Sequence, residues 1–272
     1  METLAKHSHV FIDANAFMYR YHYGHQNAEV VHPMQAVKSF LALIWKIRHQ
    51  VEPSLLVVTM DSKESNFRHK IDKAYKANRD AMPAALSDQF RPLYLALKFM
   101  AVNTWIEPGF EADDLLASLC AQVRRQGRLN YVLTMDKDLA QIVDQQNRWV
   151  SAADFTVMNE TEVVKQFGVK PEQIAELLAL TGDTVDNIPG APGIGKKVGA
   201  DLLNRYGGLD ALLRNRNWIK GKVGEALREN IERINLNRQL TTLRADIRLP
   251  NLNQLQEQPE KLSRLCEHYN LA

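Results

Sequence analysis

His9-Val10-Phe11-Ile12-Asp13, Leu55-Leu56-Val57-Val58-Thr59-Met60-Asp61 and Tyr131-Val132-Leu133-Thr134-Met135-Asp136 are three short apolar runs that each finish on an aspartate. Runs this short and this rich in Val, Ile and Leu predict buried parallel strands. In an open α/β sheet, ligands sit beyond the carboxyl ends of the strands. Three carboxylates are therefore expected to meet at one sheet edge. Like charges that close repel one another unless something positive lies between them, and a divalent cation with oxygen ligands is the simplest guest.

Working outward, Met34 to His49 is apolar at helical spacing (Val37, Phe40, Leu41, Ile44, Trp45), as is Ala85 to Ala101 (Leu86, Phe90, Leu93, Leu97, Met100). Trp105-Ile106 predicts a short strand. Glu111-Ala112-Asp113-Asp114 opens an apolar helix from Leu115 to Gln126, closed by Gly127. Alternating strands and helices imply right-handed parallel crossovers, hence an α/β fold with a doubly wound, mostly parallel sheet over residues 1–170. From about Pro171 strand signals fade and helices are expected at Pro171–Leu180, Lys196–Tyr206, Leu209–Arg214 and Val223–Asn235. Residues 171–272 are read as a helical lobe.

The chain has 272 residues, 45% hydrophobic and 24% charged, ordinary proportions for a globular protein. No apolar run reaches the ~20 residues of a membrane span. Met1 to His9 carries no signal-peptide core, and Cys120 and Cys266 have no metal-ligand spacing. A cytoplasmic protein with reduced thiols and no membrane association is expected. The net charge of +2 hides an asymmetry. With nine carboxylates set aside for metal, 34 cations face 23 carboxylates, an excess of 11 positive charges. Such a surface suits a polyanion.

Six acids join Asp13, Asp61 and Asp136 in this reading. Glu111, Asp113 and Asp114 begin a helix, where acids also serve as ordinary partners of the macrodipole. Asp138 lies two residues after Asp136, on the same side if the chain is extended. Asp183 and Asp186 are one helical turn apart and would share a face. Hard oxygen donors suit Mg²⁺ or Mn²⁺ rather than zinc. Nine exceed the needs of one Mg²⁺, and two ions about 3.5–4 Å apart would use them to cleave phosphodiesters. Any one of these aspartates alone would read as a cap; three independent strand ends agreeing is what carries weight.

Phe67 to Arg79 holds five Lys/Arg (Arg68, Lys70, Lys73, Lys76, Arg79) against one Asp, with Phe67 and Tyr75 interleaved. Cations for phosphates and rings for bases suit single-stranded nucleic acid; a solvated loop with two aromatic anchors is the plainer alternative. Gly190-Ala191-Pro192-Gly193-Ile194-Gly195-Lys196-Lys197 nearly matches a P-loop, but Lys197 stands where Ser or Thr should be and no strand precedes it. A helix–hairpin–helix turn fits better, its backbone N–H groups and lysines holding duplex phosphates without reading sequence.

These residues resemble the 5′-nuclease (flap endonuclease) superfamily, from about Val10 to Asp246. The motifs are Asp61 followed by Phe67-Arg68 and Tyr75-Lys76-Ala77-Asn78-Arg79, then Glu111-Ala112-Asp113-Asp114, Asp136-Lys137-Asp138, and Gly182-Asp183-Thr184-Val185-Asp186-Asn187-Ile188-Pro189-Gly190. The resemblance is to the 5′-nuclease domain of bacterial DNA polymerase I and to stand-alone bacterial and phage relatives. It implies a PIN-like core, a helical arch over about residues 65–98, and a DNA-binding lobe with a helix–hairpin–helix (H3TH-type) motif. It implies a metal-dependent flap endonuclease or 5′-3′ exonuclease of DNA replication or repair, acting on branched or 5′-flap DNA as a monomer.

By the same resemblance, Asp13, Asp61, Glu111, Asp113 and Asp114 would surround a first Mg²⁺, and Asp136, Asp138, Asp183 and Asp186 a second. Lys76 and Arg79, with Tyr75, would engage the scissile phosphate, and Arg20 would lie near the active site. Phe67, Arg68, Lys70 and Lys73 would meet DNA, as would Gly190, Gly193, Ile194, Gly195, Lys196 and Lys197, the latter segment with K⁺. The chain departs from the family pattern at Asp13-Ala14-Asn15, where Asp-Gly-Ser types of turn are usual, and at Lys196, where many relatives carry an acid. No polymerase domain is expected after the matched stretch. A PIN-type ribonuclease and an inactive branched-DNA scaffold are the rival readings.

Overall fold

The computed structural model describes residues 4–24, 32–123, 127–252 and 255–271. Its centre is a six-stranded sheet in the order β3-β2-β1-β4-β5-β6. The strands are β1 His9–Asp13, β2 Leu55–Thr59, β3 Asn103–Trp105, β4 Asn130–Thr134, β5 Asn147–Ser151 and β6 Val157–Met158. All pairings are parallel except β5 with β6. Only β1 ends on its aspartate. Asp61 and Asp136 lie two residues beyond β2 and β4, on the loops that leave the sheet.

Strand order sets the position of the site. The chain runs outward from β1 to β2 and β3, then returns to lay β4 on the other side of β1. The chain leaving β1, directly into a helix, and that leaving β4 thus diverge and open a crevice at the carboxyl edge, and Asp13 and Asp136 stand at it.

Side chains alternate across the strands. Val10, Ile12, Val58, Tyr131 and Leu133 face one core together with α1 (Ala14–Gly24), α2 (Gln35–Gln50) and α4 (Ala84–Phe99). Phe11, Val57 and Val132 face the other, with α5 (Ala112–Val123). That second core runs on without a break into α6 (Glu160–Phe167), α7 (Ile174–Thr181), α8 (Lys196–Tyr206), α9 (Leu209–Arg214), α10 (Gly221–Glu229) and α11 (Ile231–Thr241). The lobe is therefore fused to one sheet face. The helix expected over Val223–Asn235 is two helices meeting at Asn230. Residues 124–126 of the helix expected to reach Gln126 lie outside the described residues.

One expectation of architecture is corrected. The last helix, α12 (Pro259–Tyr269), packs against α4 on the far face of the sheet and not within the helical lobe, and Leu271 joins that core. Its periodicity shows an amphipathic helix but not which core it covers. The arch expected over 65–98 is a five-residue helix, α3 (Phe67–Ile71), then turns, then α4, whose Leu86, Leu93 and Leu97 are fully buried. Polar composition suggests a loose segment, yet Arg68 and Tyr75 are only 2% and 3% exposed.

Candidate active site

A cleft of about 580 Å³ opens over the carboxyl edge of β1 and β4. Asp13, Asp61, Glu111, Asp113, Asp136, Asp183 and Asp186 line it, with Arg20, Lys76, Arg79 and Lys137. Seven of the nine expected acids thus share one cavity, although they come from segments over 170 residues apart in sequence.

Each is held by its own local structure. Asp13 accepts from Thr134 Oγ1 at 2.8 Å and from the Ala16 amide at 3.1 Å, which ties β1 to β4. Asn15, at the atypical turn, accepts from the Asp61 amide at 3.1 Å, and Asp61 accepts from the Ala112 amide at 2.8 Å. The loop after β2 is thereby pinned to the N-terminus of α5, where the macrodipole favours acids. Asp136 caps a short 3₁₀ helix (Lys137–Ile142), accepting from the Asp138 amide at 2.8 Å. Asp136 and Asp138 do not therefore lie along the extended chain that their spacing suggests.

Asp183 and Asp186 are likewise not on a helix. They lie on a small hairpin, β7 (Gly182–Asp183) with β8 (Ile188–Pro189). The hairpin exists because two glycines allow its arms to touch. A Cβ on Gly182 would stand 2.3 Å from the Gly190 nitrogen, and one on Gly190 would stand 2.2 Å from the Thr181 carbonyl oxygen. Gly182 also has φ +73°, a region that disfavours side chains.

Two acids do not face the cleft. Asp114 is fully buried, and its carboxylate receives Arg68 Nη1 at 2.6 Å, Arg68 Nη2 at 2.8 Å and the Arg244 amide at 2.9 Å. Its expected place in the first ligand set is corrected: both oxygens are occupied within the protein. Arg68, expected on DNA, is corrected with it. The same guanidinium donates to Leu240 O at 2.7 Å, Thr242 O at 3.3 Å and Glu111 Oε2 at 3.0 Å. It fastens α3 to α5 and to the end of α11. Asp138 sits behind the cleft wall; its buried Oδ1 makes no hydrogen bond, with the Lys137 ammonium 3.6 Å away.

Cations are threaded among the acids. Lys76 pairs with Glu111 and stands 3.7 Å from Asp186, Arg79 pairs with Asp186, and Lys137 Nζ lies 2.5 Å from Asp183. Among the described residues, no three acidic, His or Cys side chains stand in a ready metal-ligand arrangement. Tyr75 is also a link rather than a stacking platform: its buried hydroxyl oxygen lies 3.0 Å from both Glu111 Oε2 and Asp186 Oδ2, and its single proton is donated to one or the other.

The electrostatics follow from this layout. Burial, then the Asp61 charge, pushes Asp13 up to about 7. Burial, with Asp136 and Asp13 nearby, holds Asp113 well above the carboxylate range, and burial beside Asp136 does the same to Asp138. Asp136 is raised by burial and Asp186. Asp61 opens to solvent on the cleft wall, yet crowding by protein and then Glu111 still raises it. Glu111 goes the other way: burial works to raise it, but Lys76 and Arg68 overcome that and hold it low. Burial, Glu111 and Asp186 raise Tyr75, so its phenol remains a donor.

The chemistry of this donor set fits divalent cations. All seven facing groups are hard oxygen ligands. Asp13, Asp61, Asp113 and Asp136 have proton affinities raised by desolvation and mutual repulsion, which a cation relieves. The orphaned Asp138 oxygen lacks a hydrogen-bond donor in the same region.

The remaining expected residues divide by exposure. Arg20 sits at the rim, donating to the carbonyls of Ala152 and, at 2.6 Å, Ala153. Phe67 is half-buried and packed beside Phe110, with the Arg68 guanidinium 4.5 Å and that of Arg244 5.8 Å from its ring centroid. Lys70 and Lys73 are exposed. Across the lobe, Gly193, Gly195, Lys196 and Lys197 are exposed at the start of α8, while Ile194 is buried beneath them and anchors the turn.

Sequence reasoning missed Lys137, Asn15, Thr134, Tyr19 and Tyr23. Lys137 was within reach, since it sits between two of the acids. Tyr19 and Tyr23 stack 6.2 Å apart on α1 at the cleft rim, and their spacing of four was the signal.

Comparison with known proteins agrees with this geometry. The family model described as 5′-3′ exonuclease, N-terminal resolvase-like domain, matches residues 8–168, and that described as 5′-3′ exonuclease, C-terminal SAM fold, matches residues 169–262. DNA polymerase I of Rhizobium leguminosarum is 36% identical over 225 residues, 80% of this chain but 22% of the polymerase. A 5′-3′ exonuclease of Buchnera aphidicola is 31% identical over 248 residues, covering 88% of this chain and 87% of that protein. The solved bacteriophage T5 5′-exonuclease with bound zinc superimposes with a TM-score of 0.73 at 20% identity, over 96% of this chain and 98% of that one. The chain spans about a quarter of the polymerases it matches.

Proposed function

The chain belongs to the 5′-3′ exonuclease family, and on that premise we propose that it is a structure-specific 5′ nuclease hydrolysing DNA phosphodiesters at 5′ flaps and branch points. The observation that carries this is the single cleft in which seven carboxylates and the cations Lys76, Arg79 and Lys137 converge.

Asp13, Asp61, Glu111 and Asp113 would hold one divalent cation; Asp136, Asp183 and Asp186, with Asp138 behind them, would hold a second. Bound there, a pair of Mg²⁺ ions supplies an activated water and neutralises charge on the phosphate, and Mn²⁺ has the ligand preferences to replace it. The chain's own groups do the positioning. Lys76 and Arg79 already stand between the two acid groups, where an incoming phosphate competes with Glu111 and Asp186 for them. Freed onto the phosphate, they offset the charge that develops in the reaction. Tyr75, kept protonated, bridges Glu111 to Asp186 and fixes the spacing of the two halves of the site. Arg20 at the rim orients the departing strand.

The turn from Gly190 to Lys197 presents exposed amides and two lysines to duplex phosphates, with K⁺ as its counter-ion. Lys70 and Lys73 receive the 5′ strand. The reading is of a monomer acting in replication or repair in the cytoplasm. The relatives support it by name: the T5 enzyme was solved with divalent metal, and also with DNA.

Cleavage of a labelled 5′-flap substrate, with Mg²⁺ and with EDTA, tests the proposal. Metal-dependent cutting near the flap junction is expected. Binding without cutting would point to a branched-DNA scaffold, and preference for an RNA flap to a PIN-type ribonuclease.

A further inference from the structure

Away from the cleft, Arg214 to Gly224 carries four cations and no carboxylate, around Trp218. Trp218 is 83% exposed, the highest value of any large hydrophobic among the described residues. Arg214, Lys220 and Lys222 are exposed and make no ion pair among the described residues. Nothing in the fold requires a bare indole flanked along the chain by unpaired cations here.

This stretch repeats the turn before α8. Ile194-Gly195-Lys196-Lys197-Val198-Gly199 and Ile219-Lys220-Gly221-Lys222-Val223-Gly224 share Ile, Lys, Val and Gly at a constant offset of 25 residues. The backbones match as well. The Ile194 amide donates to Ala191 O at 3.1 Å and the Ile219 amide to Arg216 O at 3.3 Å. The next residue is extended in both, with φ −84° and ψ 178° at Gly195 and φ −86° and ψ 161° at Lys220, and each precedes a helix, α8 and α10. Lys197 and Lys222 are the second residues of those helices. The second turn is also tied by side-chain hydrogen bonds to backbone carbonyls. Arg228 Nη1 donates to Arg216 O at 3.0 Å and Ile219 O at 3.1 Å, and Arg216 Nη1 donates to Leu213 O at 2.7 Å.

We propose that the Arg214–Lys222 turn is a second contact with the sugar–phosphate backbone of duplex DNA, in addition to the Gly190–Lys197 turn. Arg214, Lys220 and Lys222 take phosphates. Trp218 lays its ring on the sugar edge and offers its indole N–H as a donor. Unpaired cations with no acid among them are what a polyanion recruits. The inference rests on the reading of the chain as a DNA-binding nuclease.

The test is binding of the full chain to fluorescein-labelled flap DNA without divalent cation, across a series of KCl concentrations. Arg214→Ala/Lys220→Ala/Lys222→Ala should weaken Kd about tenfold or more and lower the slope of log Kd against log salt by ~0.9 for each phosphate no longer neutralised. Trp218→Ala should weaken binding too, without the change in slope. The loss should shrink when the duplex arms are shortened. Lys165→Ala, on α6, serves as a charge control.

Wild-type Kd and slope in both variants, with melting temperatures unchanged, would overturn the proposal. So would a loss no larger per charge than that of the control, or an equal loss on single-stranded DNA. Lys196→Ala/Lys197→Ala separates the two levels of argument. If that pair weakens binding and the 214–222 variants do not, only the second contact is wrong. If the wild type binds no flap DNA at all, the nuclease reading fails with it.

Discussion

Replacing Asp114 by alanine should unfold far more than it disarms. Arg68 is 2% exposed and Asp114 fully buried, with two charge-assisted hydrogen bonds between them at 2.6 and 2.8 Å. Removing one partner of such a pair leaves a buried charge uncompensated, which costs about 3–5 kcal/mol. Glu111, 3.0 Å from the same guanidinium, recovers part of that, so a loss of about 3 kcal/mol is expected. For a chain of this size each kcal/mol moves the melting temperature by roughly 2–4 °C, which predicts a fall of about 10 °C. Urea unfolding of the wild type and of Asp114→Ala, with the midpoint and slope compared, measures it directly. The companion variant Arg68→Met/Asp114→Leu should regain most of the loss, because a buried ion pair exchanged for apolar groups of similar volume is often neutral. If Asp114→Ala loses less than about 1 kcal/mol yet loses divalent-cation binding, the fastener reasoning is wrong and Asp114 is a ligand after all.

Four further outcomes are expected. Asp183→Ala/Asp186→Ala should keep flap DNA binding and lower cleavage by orders of magnitude; near-normal cleavage would sink the second-site assignment. Lys76→Ala should slow single-turnover cleavage more than it weakens binding, and an unchanged rate would refute its role. Gly190→Ala, with its Cβ 2.2 Å from Thr181 O, should destabilise the protein by at least the ~1–3 kcal/mol typical of overpacking; a wild-type melting temperature would contradict the close crossing of the hairpin. The last concerns pH. Asp13 titrates near 7 when folded and near 3.8 otherwise, so its contribution to stability is complete below about pH 3.8 and disappears as pH rises through about 7. Asp113, Asp136 and Asp138 shift in the same direction. A divalent cation replaces these protons, so the gain in melting temperature from Mg²⁺ should be small at about pH 5.5 and large at about pH 8; equal gains would count against it.

Much of the fold could be read in the chain because its signals are local. β1, β2 and β4 are runs in which nearly every apolar residue is buried on one face or the other, so composition alone marks them. The start of α8 is set by Gly195 and the lysines that follow it. The departures are of one kind. Spacing alone suggests a helix for Asp183 and Asp186, and an extended chain for Asp136 and Asp138. Both pairs do lie near the site, but through a different local geometry. A hairpin opened by Gly182 and Gly190, and a 3₁₀ turn capped by Asp136, can gather carboxylates as well as a helix or a strand can.

The sequence by itself determined the parallel strands and the hard oxygen donors that stand at or just beyond their carboxyl ends. Those depend on residue type and short spacing, which the chain carries along its length. Only the tertiary structure decided which charges face the cleft and which hold the molecule together. Arg68 and Lys76 stand eight residues apart in one basic stretch, yet the first is sealed beneath Leu240 and Thr242 and the second opens into the cleft. What covers a side chain comes from segments far away in sequence, so a cation's role as fastener or as phosphate ligand is fixed by packing and not by its neighbours along the chain.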